Sequence, residues 1–208
     1  MKRRSLLKAG AAFAVPGVLS FGASAKPVSK AKALKVLVVY FSRPGMNYVS
    51  GDMVNLPVGN TEKFAKIIAK TLDAPLFRIE PVTPYPFDYR KTTAIAREER
   101  SAGKARDAKA IPDIRGYDVI FWGHPIWYGE MPYIVRGVLS KLDCAGKTIV
   151  PFVTHEGSGI GDTANLVRSF QKRAAVREGL GILGTRFVRN EPVEPEITAW
   201  LKRLGYQK

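Results

Sequence analysis

The sequence predicts an α/β fold, a three-layer sandwich in which a five-stranded, mainly parallel sheet has helices on both faces. Two observations predict it. Apolar runs of strand length alternate along the chain with segments of helical periodicity, and most of those runs are almost continuously apolar, as expected of strands covered on both sides. A chain of 208 residues, 46% of them hydrophobic, can bury one sizeable core. We therefore expect one folded domain, residues 34–208.

Four apolar runs predict the well-covered strands of the sheet. They are residues 34–41, 118–123, 148–154 and 182–188. A weaker run, 75–82, alternates more between polar and apolar residues and predicts an edge strand.

Helices are predicted between these strands. Apolar residues recur at three- and four-residue spacing after Thr61, after Pro132 and in residues 166–174. Residues 194–204 predict a last helix, and the charged, alanine-rich residues 87–110 predict a solvated helix with a loop. Because strands and helices alternate, the connections are crossovers and the sheet is mainly parallel.

Residues 1–25 have the pattern of a signal peptide. A basic start, residues 2–4, precedes a short apolar stretch, 6–21, and small residues then suit cleavage near Ala25. The stretch is too short and too rich in glycine and proline to predict a permanent membrane span. The adjacent arginines resemble a twin-arginine export signal, which predicts a folded, periplasmic protein; an ordinary Sec signal is the alternative. Residues 26–33 would be a lysine-rich linker.

The chain is strongly basic. Lys and Arg number 33 against 18 Asp and Glu, and removal of residues 1–25 leaves 29 basic residues and a net charge of +11. Such a charge favours an anionic partner, such as an acidic protein, an anionic lipid surface or a polyanionic substrate. Nucleic acid also fits the charge, but an exported protein rarely meets it, so we expect no nucleic-acid partner.

Cysteine and histidine usage argues against disulfide and metal sites. Cys144 is the single cysteine, so an internal disulfide and a C-x-x-C motif are both excluded. The two histidines, His124 and His155, lie in separate predicted loops, a spacing that does not predict a metal site.

The first candidate site lies where the first strand is followed by a helix. Asn60 and Thr61 directly precede helical periodicity, and a helix start offers free backbone N–H groups to a phosphate. The alternative is that Asn60 or Thr61 simply caps the helix. Ser42 and Arg43 end the preceding strand, so we interpret them as the second piece of one split phosphate site.

An insertion, residues 43–58, separates these two pieces of the site. It contains Met46, Tyr48 and Met53, side chains that could cover a cofactor or contact a partner. A passive surface insertion is the alternative. The entropic cost of closing a loop grows slowly with its length, so long loops without a function are often tolerated.

Two further strand ends carry unusual residues. The loop after residues 118–123 contains Trp127 and Tyr128, whose flat faces suit a planar heterocycle, although core packing is the alternative. The loop after residues 148–154 is rich in glycine, which lets the backbone approach a ligand closely. Ligands of parallel sheets bind outside the carboxyl ends of the strands, so these segments predict one shared site.

Three motifs, VVYFS…GNT, WGHPIWYGEMP and GKTIVPFVTHEGSGIGD, together resemble the flavodoxin family over most of residues 34–205. The resemblance implies the strand order 2-1-3-4-5 and one non-covalently bound FMN. The cofactor-binding residues that it implies are Ser42, Asn60 and Thr61 at the phosphate, Pro125, Ile126, Trp127, Tyr128 and Gly129 along the isoalloxazine ring, and Thr154, His155, Glu156, Gly157, Ser158, Gly159 and Asp162 on its other edge.

The resemblance, taken with the predicted export signal and the basic charge, suggests an exported electron-transfer protein that docks a redox partner with an acidic surface. An FMN-dependent NAD(P)H:quinone-type reductase and an FMN-free binding module of the same fold are the alternatives. We assign no catalytic residue, because FMN itself would carry out the chemistry. Flavodoxins of this size are usually acidic; because reduced FMN gains negative charge, this basic chain predicts a higher reduction potential.

Overall fold

The structure is a computed structural model that describes residues 34–206. The predicted signal peptide and linker, residues 1–33, lie outside the described residues. The strands in chain order are β1 (Val36–Tyr40), β2 (Gly45–Val49), β3 (Asp52–Leu56), β4 (Leu76–Arg78), β5 (Val119–Pro125), β6 (Thr148–His155), β7 (Ala175–Val176) and β8 (Leu180–Leu183). The helices are α1 (Asn60–Leu72), α2 (Tyr89–Ala102), α3 (Tyr133–Ser140), α4 (Thr163–Phe170), α5 (Gly184–Val188) and α6 (Glu194–Arg203).

The main sheet is parallel, in the order β4-β1-β5-β6, with β7 and β8 both paired to the outer side of β6. The predicted α/β fold class is confirmed. The predicted order 2-1-3-4-5 differs only at its last position, which two short strands share. β7 pairs with the start of β6, and β8 pairs with residues 152–155 at its end.

Helices cover both faces of this sheet, because the side chains of β1 alternate between two buried clusters. Leu37 and Val39 pack in the cluster that contains residues of α3 and α4, whereas Val38 packs with residues of α1, α5 and α6. This two-sided burial explains the almost continuously apolar strands of the sequence. Among residues 34–206, no helix is long and apolar enough to cross a membrane.

The prediction of a strand at 182–188 is wrong for most of its length. β8 ends at Leu183, and α5 begins at Gly184. The register explains the change, because Leu183 pairs with His155, the last residue of β6. Beyond that point the chain has no strand to pair with, so its backbone groups are satisfied in a helix instead.

The insertion is an ordered hairpin rather than an irregular loop. β2 and β3 pair antiparallel from Gly45 and Leu56 to Val49 and Asp52, and the turn residues 50 and 51 have positive φ angles of 50° and 107°. Such angles belong to the tight two-residue turns that match the twist of paired strands.

Candidate functional site

A cleft opens at the carboxyl ends of β1, β5 and β6, under the β2–β3 hairpin. Its walls contain the predicted residues Ser42, Arg43, Asn60, Thr61, Pro125, Ile126, Trp127, Thr154, His155 and Glu156. The structure therefore brings together ten residues from all three predicted segments. The predicted residues Tyr128, Gly129, Gly157, Ser158, Gly159 and Asp162 lie in the flanking loops and do not line the cleft.

The start of α1 is capped from outside the helix. Its N-cap is Gly59, which has no side chain, so the capping role considered for Asn60 or Thr61 is wrong. Ser42 Oγ instead accepts a hydrogen bond of 3.1 Å from the N–H of Glu62. A Cβ at Gly59 would lie 2.3 Å from Ser42 Oγ and 2.7 Å from the carbonyl oxygen of Arg43, so this close approach requires glycine.

The side chains beside this helix start can hydrogen bond to a ligand. The hydroxyls of Thr61 and Thr154 are 2.7 Å apart, and both residues are buried. Asn60 Oδ1 is buried in the cleft wall and has no hydrogen-bond partner within the described part of the chain. Buried polar atoms are nearly always paired, so this oxygen indicates a donor supplied by a bound molecule or by water.

Arg43 is a buried cation in the same wall, with 8% of its surface exposed. Its guanidinium donates to the carbonyl oxygens of Pro86 at 2.9 Å, of Phe87 at 3.3 Å and of Met46. Burial lowers its pKa, while the nearby Tyr89 and Asp88 act in the opposite direction. These three carbonyl oxygens accept from the Nη1 and Nη2 atoms of the guanidinium.

In the loop after β5, the rings of Trp127 and Tyr128 lie in different surroundings. Trp127 lines the cleft and packs edge-on against Phe41 and Tyr85, with ring centroids 5.5 Å and 4.9 Å away. Tyr128 points to α2, where its hydroxyl donates to the carbonyl oxygen of Thr93 at 2.9 Å. A tight turn produces this split, because Tyr128 and Gly129 both have positive φ angles, of 51° and 78°.

The glycine-rich loop is held in place by its first two side chains. His155 Nδ1 accepts a 3.0 Å hydrogen bond from the N–H of Gly157. Glu156 accepts from the hydroxyl of Thr185 at 2.5 Å and from the N–H of Ser50, at the hairpin turn, at 3.3 Å. Burial lowers the pKa of His155, and the adjacent carboxylate of Glu156 opposes that effect. Glu156 thus connects the hairpin to α5 across the cleft.

Three residues of the cleft were not predicted in any role: Asn47, Tyr89 and Gly184. Tyr48 was predicted only as a side chain that could cover a cofactor, and it lines the cleft. Asn47 belongs to the insertion, where the sequence signal of a hairpin is the Ser50-Gly51 pair between two short runs. Gly184 had been predicted inside a strand, yet a Cβ there would lie 2.5 Å from Glu156 Oε1 and 2.7 Å from Asn60 Nδ2. Tyr89 begins the solvated helix α2, and its sequence surroundings carry no indication of a site.

A family model described as flavodoxin matches residues 35–204. The chain belongs to the flavodoxin family. No curated protein matches this flavodoxin-family chain. Within residues 34–206, no cluster of His, Cys, Asp and Glu side chains could hold a metal ion.

Solved structures show the same fold. A protein from Bacteroides eggerthii, proposed to be a flavoprotein, is 27% identical with a TM-score of 0.65, over 83% of this chain and 98% of its own. A second proposed flavoprotein, from Bacteroides uniformis, is 22% identical with a TM-score of 0.58, over 76% of this chain and 99% of its own. A flavoprotein from Lactobacillus acidophilus, solved in complex with FMN, is 20% identical with a TM-score of 0.53, over 76% of this chain and 98% of its own.

Proposed function

We propose that this protein binds one FMN in the cleft and serves as an electron-transfer protein. The observation that carries the proposal is the helix start at Asn60 and Thr61, which opens into a cleft at the carboxyl ends of the strands in a flavodoxin-family chain. A flavoprotein that shares this fold was solved with FMN. Helix starts of this kind favour phosphate groups, because their free N–H groups point at the ligand.

The residues present fit FMN. Asn60 Oδ1, buried without a partner, would accept a hydrogen bond from a ribityl hydroxyl. Thr61 and Thr154, which share one hydrogen bond, retain the capacity for further bonds to the phosphate or ribityl group. Pro125, Ile126 and Trp127 line the cleft and would form the apolar wall for the isoalloxazine ring.

The remaining predicted contacts are part of the same proposal. Ser42 and Arg43 would complete the phosphate end, and His155 and Glu156 the polar edge of the ring. The flanking residues Tyr128, Gly129, Gly157, Ser158, Gly159 and Asp162 would border the ring from the two loops. Bound FMN would supply the redox chemistry, and the protein would position it, exclude water and set the surrounding charge.

Export and docking complete the proposal. The pattern of residues 1–25 supports twin-arginine export to the periplasm, which carries folded proteins. The net charge of +11 after that segment supports a redox partner with an acidic docking surface. The same charge supports peripheral contact with anionic lipid, and we expect no nucleic-acid partner.

The decisive experiment is the visible absorbance spectrum of the protein purified after export or refolded with FMN. We expect a bound flavin in equimolar amount. Thr61→Val should weaken FMN binding at least tenfold. The change removes a buried hydroxyl and leaves the hydroxyl of Thr154 without its hydrogen-bond partner. Thr71→Val, at the far end of α1, is the matched control and should leave FMN binding unchanged.

Two outcomes would contradict this proposal. Protein that stays colourless after refolding with FMN would be an FMN-free binding module of the same fold. Sustained oxidation of NAD(P)H with a quinone as acceptor would identify a reductase instead of an electron carrier.

A further inference from the structure

A second cavity, of about 580 Å³, lies beside the FMN cleft at the carboxyl ends of β1 and β4. Its walls are mainly apolar, and its size is within the roughly 300–1,000 Å³ range of sites for small organic molecules. Phe41, Leu56, Ile79, Tyr85 and Phe87 line it, together with four prolines. Ser42 and Arg43 line both this cavity and the cleft, so the two spaces share one wall.

Core packing and side-chain contacts fix the residues that line this cavity. Phe41, Ile79 and Tyr85 belong to the buried core. The hydroxyl of Tyr85 donates to Glu99 at 2.8 Å, and the guanidinium of Arg106 lies 3.9 Å above the centre of the Tyr85 ring. A pre-formed apolar cavity of this kind needs little reorganisation to admit a ligand.

The charges around the cavity are unevenly compensated. Arg78 forms an ion pair with Glu62 at 3.2 Å, and Lys109 forms one with Glu80 at 3.0 Å. Arg43 forms no ion pair with any carboxylate in the part of the chain that the structure describes, and only 8% of its surface is exposed. The compensation that the structure shows for Arg43 is the longer-range charge of Asp88, so the guanidinium favours an anion bound beside this wall.

Hydrogen bonds also fix the position of the Arg43 guanidinium in this wall. Three backbone carbonyls, of Met46, Pro86 and Phe87, hold its guanidinium at the junction of the hairpin base and the segment before α2. Gly45 leaves the necessary space, because a Cβ there would lie 3.2 Å from Arg43 Nη1 and 2.9 Å from the carbonyl oxygen of Phe87.

We propose that this cavity is a binding site for a small organic anion with an apolar body, such as a medium-chain or aromatic carboxylate. The apolar chain or ring occupies the space between Phe41, Ile79 and Phe87, and the carboxylate is attracted to Arg43. A guanidinium binds carboxylates strongly because hydrogen bonding and charge act together. The site does not depend on FMN, although the shared wall places its occupant next to the cofactor cleft.

Isothermal titration calorimetry of the FMN-loaded protein with decanoate tests this proposal. We expect saturable binding with one site per chain, at least tenfold weaker binding of butanoate, which lacks most of the apolar body, and no saturable binding of the cation decyltrimethylammonium. The absorbance of bound FMN reports in the same sample whether decanoate displaces the cofactor.

Two variants locate the ligand. Asn55→Trp places a large ring at an exposed position of the cavity rim and should weaken decanoate binding at least tenfold. Met53→Trp is the matched control, because residue 53 is exposed on the same face of β3 but does not line this cavity. Arg43→Gln should weaken decanoate binding at least tenfold while retaining its stoichiometry.

Several outcomes would overturn the proposal. One is decanoate binding that Asn55→Trp leaves unchanged, and another is equal binding of the cationic amphiphile. Release of FMN by decanoate would show that the ligand occupies the cofactor cleft. If Arg43→Gln weakens FMN binding alone, the charge of Arg43 serves the cofactor and the cavity has no anion site. Colourless protein that still binds decanoate would contradict the FMN proposal and leave the cavity site intact.

Discussion

At the scale of single residues, His124 is a buried histidine beside the candidate site. It is fully buried near the end of β5, with Nδ1 3.0 Å from the carbonyl oxygen of Pro125 and Nε2 without a partner among the described residues. Burial lowers its pKa to about 4; the Pro125 carbonyl opposes this shift, and Arg136 adds to it. The folded protein therefore holds a neutral imidazole next to the proposed site.

This buried histidine predicts a loss of stability in mild acid. Below pH 6.5 the unfolded chain binds a proton at His124 that the folded protein does not bind until about pH 4, so protons favour unfolding. The stabilisation from neutral His124 is complete above the pKa of the histidine in the unfolded chain. As the pH falls to 4, the free energy of unfolding decreases by about 3 kcal/mol. Urea denaturation between pH 6.5 and 5 measures this decrease in the free energy of unfolding, in a range where most carboxylates do not yet titrate.

Two variants isolate the contribution of His124 to this pH dependence. His124→Gln should flatten the dependence of the unfolding free energy on pH in that range. His155→Gln, which changes the only other histidine, should retain most of the slope. An unchanged slope in His124→Gln would contradict the assignment.

At the scale of elements, the β2–β3 hairpin is attached to the domain at both of its ends. At its base, the N–H of Met46 donates to the carbonyl oxygen of Phe87 at 2.9 Å, and Arg43 donates to the carbonyl oxygen of Met46. At its turn, Ser50 contacts Glu156. Asn47 and Tyr48 line the cleft between these attachments, and we therefore propose that the hairpin covers the cleft.

Shortening the hairpin tests its role as a cover. Replacing residues 47–54 with Asn-Gly keeps the Met46–Asn55 pair, and closes it with a favourable two-residue turn. We expect FMN to bind at least tenfold more weakly and to dissociate faster, because two cleft residues and the contact with Glu156 are lost. Met53→Ser, on the exposed side of the hairpin, is the control, and equal FMN affinity in the shortened chain would identify a passive insertion.

At the scale of the whole molecule, charge is the property that most separates this chain from an acidic flavodoxin. Its formal net charge is +15, or +11 without residues 1–25. A positive surface stabilises the additional negative charge of reduced FMN, whereas an acidic surface destabilises it. The reduction potential of bound FMN should therefore be higher in this protein than in acidic flavodoxins.

The dependence of that potential on salt tests the charge argument directly. Added salt shortens the Debye length from roughly 30 Å at 0.01 M to about 3 Å at 1 M, which screens the surface field. We expect the two-electron potential of bound FMN to fall as salt increases. An acidic flavodoxin is the control and should change in the opposite direction, and a rise with salt in this protein would contradict the argument.

The sequence by itself determined the sheet, its covering helices and the edge of the sheet that carries the cleft. These features follow from local patterns. Hydrophobic periodicity shows which face of a strand or helix is buried, even when the element that packs against that face is not known. Ten predicted site residues meet in one cleft because each lies at or next to the end of a predicted strand or the start of a predicted helix, where the three motifs also place them.

Only the tertiary structure decided which groups satisfy one another across the chain. Ser42 caps α1 across the hairpin, and carbonyls of residues 86 and 87 hold Arg43. The segment from Gly184 to Val188 is a helix because β6 ends at His155 and offers no further partner. Such choices depend on groups that are distant in sequence and adjacent in space, which no local pattern encodes.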